Sequence, residues 1–138
     1  MTQIAPVPDS AVDLLARSDA EVVAATLASA PEDVFLHAHL AALRAGAALV
    51  QARGRPGGRP APRTVWDMVS AVAPELSAWA AFFADNAAVR SAVEAGRAGV
   101  EMDRAERVLG AAEEFQAAVR ESIGVAGEGQ GRLALRAS

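Results

Sequence analysis

Cysteine is absent from this 138-residue chain, which excludes disulfides, thiolate nucleophiles and cysteine-ligated zinc or iron–sulfur centres. Lysine is absent too: all 13 basic residues are arginines. Tyrosine is missing, and four Phe and two Trp supply all the aromatic bulk. The first residues, MTQIAPVPDS, hold no basic region followed by an apolar run, so they do not read as a secretory signal. No apolar stretch reaches roughly 18 residues without a charge, which gives no reason to expect a membrane span. The expectation is a cytoplasmic protein without membrane contact. No close pair of carboxylates stands apart from amphipathic surface patterns, so the acidic residues offer no acid–base dyad.

Alanine fills much of what remains, at 35 residues, and the chain is 52% hydrophobic. Alanine is the best helix former and lets helices approach closely. Arginine without lysine in an alanine-rich chain fits a GC-rich bacterial coding sequence. The length allows one domain with a real core. Net charge is −4, but Arg53, Arg55, Arg59 and Arg63 sit in one short stretch with no acid among them. Setting those four aside leaves −8 on the rest, a marked polarity.

The stretch Asp33 to Ala52, DVFLHAHLAALRAGAALVQA, organises the pattern. Val34, Ala38, Ala41, Ala45 and Leu49 form one helical stripe; Leu36, Leu40, Leu43, Ala47 and Val50 make the other side apolar as well. A helix apolar nearly all round is one that neighbours bury on several sides. Before it, a first helix is expected from Asp9 or Ser10 to about Ser29, with Val12, Leu15, Asp19, Val22, Val23, Thr26 and Leu27 inward. Asp13, Arg17 and Glu21 form an outer ion-pair ladder at spacing four. SAPED, residues 29–33, is a strong helix start, with proline in the first turn and two acids at the positive end of the dipole.

RGRPGGRPAPR, residues 53–63, carries three Pro and three Gly and reads as an exposed loop. Thr64 then caps VWDMVSAVA, and Pro74 opens PELSAWAAFFADNA, either a new helix or the same one kinked. Asp85 or Asn86 can cap a short helix from Ala87 to Ala95, closed by Gly96. Asp103 is expected to cap a last helix to Ile123, with inner face Ala105, Val108, Leu109, Ala112, Phe115, Val119 and Ile123, and Gly124 past its end. Residues 1–8 and 125–138 read as a disordered lead-in and tail around a domain at 9–124. The fold class is all-α: an antiparallel bundle of four to five helices.

The candidate chemistry is sparse. His37 and His39 are two apart, about 200° of rotation, so they cannot share a metal; helical metal pairs are spaced four. No metal and no cofactor is expected. His37 and Arg44, seven apart, share a face and could hold a phosphate and serve acid–base chemistry; the plainer reading makes them ordinary surface or interface residues. Arg53, Arg55, Arg59 and Arg63 could bind a phosphate backbone, since guanidinium contacts phosphate bidentately; the plainer reading is a solvated linker. The glycines in GRPGGRP lack the strand before and the Lys-Ser/Thr after that a P-loop needs. Trp66 could stack a base beside the arginines, although its spacing with Met68 and Val69 also fits a core anchor. Trp79, Phe82 and Phe83 read as core or as a dimer face.

The segment RTVWDMVSAVAPELSAWAAFFA, residues 63–84, with HAHLAALRAGAALVQAR before it, resembles an actinobacterial branch of the HEPN (higher eukaryotes and prokaryotes nucleotide-binding) domains over roughly residues 11–124. The resemblance implies an HEPN-like helical bundle that often dimerises. HEPN domains include metal-independent ribonucleases and non-catalytic partners of nucleotidyltransferases. The ribonucleases carry Arg, four to six residues, then His, usually late in the domain. Here both histidines precede Arg44, Arg17 lies twenty residues ahead of His37, and the last helix has no His, so no catalytic residue carries over. The leading expectation is a non-catalytic homodimeric domain that binds RNA, a nucleotide or a protein partner through the basic loop. The alternatives are a divergent ribonuclease using His37 and Arg44, and a purely structural interaction module that buries Trp79 and Phe83 in an interface.

Overall fold

The computed structural model describes residues 6–54 and 64–124; the lead-in residues 1–5, most of the basic loop (55–63) and the tail (125–138) lie outside the described residues. What is described is all helical: α1 (Asp9–Leu27), α2 (Pro31–Arg53), α3 (Val65–Val72), a 3-10 turn (Pro74–Leu76), α4 (Ser77–Asp85), α5 (Ala87–Glu94) and α6 (Met102–Ile123). The expected all-α bundle is what the chain forms.

The central helix is α2, which packs chiefly against α1 and α6, with α3 and α5 beside it. Eleven of its residues are buried, among them Phe35, Ala38, Ala41, Ala42, Ala45, Ala48 and Leu49. By length and composition it could cross a membrane, yet most of its surface is covered by these neighbours. Pro31 sits in its first turn with Glu32 and Asp33. The antiparallel seam with α1 is registered by polar bonds. Ser10 donates to Gln51 (3.2 Å), the buried Ser18 hydroxyl donates to the Ala41 carbonyl (2.6 Å), and His37 meets Glu21.

The inner face of α1 differs from the one the apolar pattern predicts. Ala11, Leu15, Ser18 and Ala25 are buried, while Val12, Val23 and Leu27 are exposed. Asp19 does not face the core: it accepts from Arg120 (2.6 Å) and Gln116 (3.2 Å) of α6. The expected Asp13–Arg17–Glu21 ladder does not form, because Glu21 turns to His37 instead. Asp9 and Ser10 do not cap α1; Pro8 occupies that position.

Residues 65–85 are neither one kinked helix nor two joined directly. Pro74 opens a 3-10 turn between α3 and α4. Thr64 caps α3 as expected, its hydroxyl accepting from the Asp67 N–H (3.0 Å). Asp103 lies inside α6, whose cap position is Glu101. The expected inner stripe of α6 holds in Ala105, Val108, Ala112, Phe115 and Val119, and Gly124 ends the helix at φ 85°, where a side chain would be strained.

Candidate functional site

The two histidines of α2 lie in opposite environments. His39 is fully buried. Its ring lies 5.8 Å from Phe83, 6.1 Å from Phe35 and 6.3 Å from Trp66, and its Nε2–H donates to the Phe83 carbonyl (3.2 Å). That bond fixes the tautomer, leaving Nδ1 as a buried acceptor with no partner. Burial holds this imidazole below the ordinary histidine range, with the Phe83 carbonyl pulling the other way and Arg90 adding to the depression. A side chain so enclosed touches no substrate. It is a core histidine that ties α2 to α4.

His37 faces outward at the α1–α2 seam. Its Nδ1–H donates to the Glu21 carboxylate (2.7 Å), and its side chain remains 41% exposed. A carboxylate on Nδ1 fixes the ring orientation and leaves Nε2 directed elsewhere, the arrangement that an acid–base histidine uses. Arg44 lies two turns further along the same face, roughly 10 Å by helix rise. It is half-buried, and its Nε is buried without a partner.

The basic-loop candidates divide. Arg53, at the last position of α2, belongs to the scaffold. Its guanidinium donates to the Val72 carbonyl (2.8 Å), to Glu75 (3.2 Å) and to both the carbonyl and the hydroxyl of Ser122. These bonds join the end of α2 to the end of α3, the 3-10 turn and the last turn of α6. The Glu75 carboxyl is held below its usual range, first by its own backbone N–H and further by Arg53. Arg53 is therefore corrected from a phosphate contact to an anchor, since its Nη1 and Nη2 groups are already bonded within the fold. Trp66 is a second correction. Only 5% exposed, it stacks on Phe83 (5.1 Å, 19°) and lies against Phe115, so no face is open to a base. Gly46 makes room for it: a Cβ there would meet the Trp66 ring and Val69 at 3.3 Å. Arg55, Arg59 and Arg63 lie outside the described residues.

Phe83 is fully buried and cannot form an interface, whereas its neighbour Phe82 is 37% exposed. Phe82 borders a shallow groove of about 290 Å³ with Trp79 and Ala111. A larger cleft of about 440 Å³ opens where α5 meets α6, lined by Val89, Val100, Glu101, Asp103, Arg104 and Arg107. There Arg104 donates to the side chain of buried Asn86 (2.7 Å), which itself donates to the Phe82 carbonyl. Sequence reasoning saw Asn86 only as a helix cap, a bond its side chain does not make. It missed the Arg104–Asn86 and Glu21–His37 pairs, because both join residues 16 or more positions apart. Among the described residues, no group of three or more His, Asp or Glu could hold a metal ion.

The family model described as SAV_6107-like HEPN matches residues 25–120, which run from the end of α1 to the last turns of α6. No curated protein and no solved structure matches the chain.

Proposed function

The chain belongs to the SAV_6107-like HEPN family, and from that premise we propose that it is a non-catalytic cytoplasmic binding domain that holds RNA through the arginines following α2. One observation carries the proposal. The basic segment is tethered at both ends, by the four hydrogen bonds of Arg53 on one side and by the Thr64 cap of α3 on the other. Between these anchors stand Arg55, Arg59 and Arg63 with no acidic residue. On a chain of net charge −4 they concentrate positive charge that attracts phosphates the remainder repels.

Arg53 and Trp66 leave the binding set, so the test falls on three positions. Arg55/Arg59/Arg63→Ser should weaken binding of a single-stranded oligoribonucleotide at least tenfold near 50 mM salt and flatten the salt dependence of log K by up to about two units, as expected for three lost phosphate contacts on a single strand. Fluorescence anisotropy measures both. Equal affinity and slope in the two proteins would sink the proposal. A homodimer forms part of the same reading, supported by Val12, Val23 and Leu27 exposed along α1. A monomer by light scattering at micromolar concentration would remove that part.

One observation favours a second reading, a divergent ribonuclease: the 2.7 Å bond that orients His37 against Glu21 on the face that holds Arg44. It requires EDTA-resistant RNA cleavage that His37→Ala abolishes, and cleavage unchanged in that variant removes it.

A further inference from the structure

Four of the described arginines are half-buried: Arg44, Arg90, Arg104 and Arg120. Three have partners. Arg90 pairs with Glu94 (2.8 Å), Arg104 donates to Asn86 (2.7 Å) and Arg120 pairs with Asp19 (2.6 Å). Among the described residues Arg44 alone of the four has no hydrogen bond and no ion pair; its Nε, like that of Arg90, is buried without a partner. Buried polar groups are almost always satisfied, and a cation drawn partly out of water without a counter-charge costs stability. Its neighbours one turn away on α2 are Leu40, Ala41, Ala47 and Ala48, all buried or half-buried and none able to accept a hydrogen bond through its side chain. Among the described residues, the α1 carboxylate that bonds to α2 across the seam is Glu21, which is committed to His37.

We propose that the outward α1–α2 seam is an anion site in which Arg44 holds a phosphate group, with the free edge of His37 bordering it. A guanidinium set among leucine and alanine binds an anion more strongly than one in open water, because the local dielectric is lower. Its fork of donors matches phosphate geometry. The site is distinct from the basic segment: Arg44 and Arg53 are nine residues apart, two and a half turns, and so face opposite sides of α2. It does not depend on whether that segment binds RNA.

The test compares thermal unfolding of the parent chain with Arg44→Met and Arg44→Lys, in sodium phosphate and in sodium chloride at matched ionic strength. Ligand binding to the folded state raises Tm by mass action. The parent is expected to gain about 4 °C in phosphate once the anion exceeds its Kd roughly tenfold. Arg44→Met should be at least as stable as the parent in chloride, because it removes an uncompensated cation, and in phosphate should show only the smaller general gain that an excluded anion gives any folded protein. Arg44→Lys, which keeps the charge but loses the fork, should keep less than half of the gain. A further arm replaces phosphate with adenosine monophosphate: a larger gain at equal concentration assigns a nucleotide, and an equal gain assigns the phosphate group alone. Equal Tm of the parent in phosphate and chloride overturns the proposal. So does a phosphate gain as large in Arg44→Met as in the parent, or an Arg44→Met protein less stable than the parent in chloride.

Discussion

The inner and outer faces of α2 use the same residue types for opposite purposes. On the inner face His39 gives up its solvent, accepts an unpaired Nδ1 and is enclosed by Phe35, Trp66 and Phe83. On the outer face, two positions earlier, His37 keeps one ring edge free while Glu21 fixes the other. The arginines divide likewise. Arg53 spends its donors on four internal acceptors at the bundle end, and Arg44 has none. Residue type therefore says little about function along this helix. What separates scaffold from candidate site is whether part of the polar side chain still reaches solvent: His39 is enclosed, whereas His37 and Arg44 are only half-buried.

The comparison breaks most easily on the inner side. His39→Ala removes a fully buried ring and the α2–α4 hydrogen bond, and should cost about 2–4 kcal/mol by chemical denaturation. A loss below 1 kcal/mol would mean that the aromatic cluster does not depend on this side chain. The same residue sets a pH dependence. Its native pKa is depressed, mainly by burial, so the unfolded chain takes up the proton first. Its contribution to stability is therefore complete above about pH 6.5, the unfolded value, and falls as pH drops below that toward the native value. Denaturation midpoints between pH 7.5 and 5 should decline in the parent, and less so in His39→Phe; identical profiles would contradict the assignment.

The next effect is at Gly46. Leucine there must enter space held by Trp66 and Val69 and should destabilise by about 1–3 kcal/mol, with a shift in tryptophan fluorescence. The smallest expected effect is on the outer face. His37→Gln should change stability by less than about 0.5 kcal/mol, since a polar contact made by a side chain 41% exposed contributes little. A large loss there would erase the distinction between the faces.

Much of the fold was legible in the sequence, for identifiable reasons. The nearly all-round apolar pattern of α2 marked the helix that others surround, and α6 showed its buried stripe directly because Val108, Phe115 and Val119 are large. The rotation of α1 was not legible. In a helix with so many alanines either face can pack, and the choice is made by contacts distant in sequence: Ser18 to Ala41, and Asp19 to Arg120 and Gln116. That set of bonds leaves Val12, Val23 and Leu27 outside. The core reading of Trp66 was legible from its spacing with Met68 and Val69, and Gly46, a glycine inside a helix that only a close neighbour explains, points the same way. The anchoring role of Arg53 had no local signal, because its acceptors lie 19 to 69 residues away.

The most direct test of the division between scaffold and site is an NMR titration of the intact chain with a short single-stranded oligoribonucleotide, following backbone and arginine side-chain resonances. The account predicts shifts at Arg55, Arg59 and Arg63, and at Arg44 if its anion site accepts the same phosphates, with His39, Phe83 and Phe115 unmoved. Shifts centred on the aromatic cluster, or none at the three arginines at saturating RNA, would contradict it.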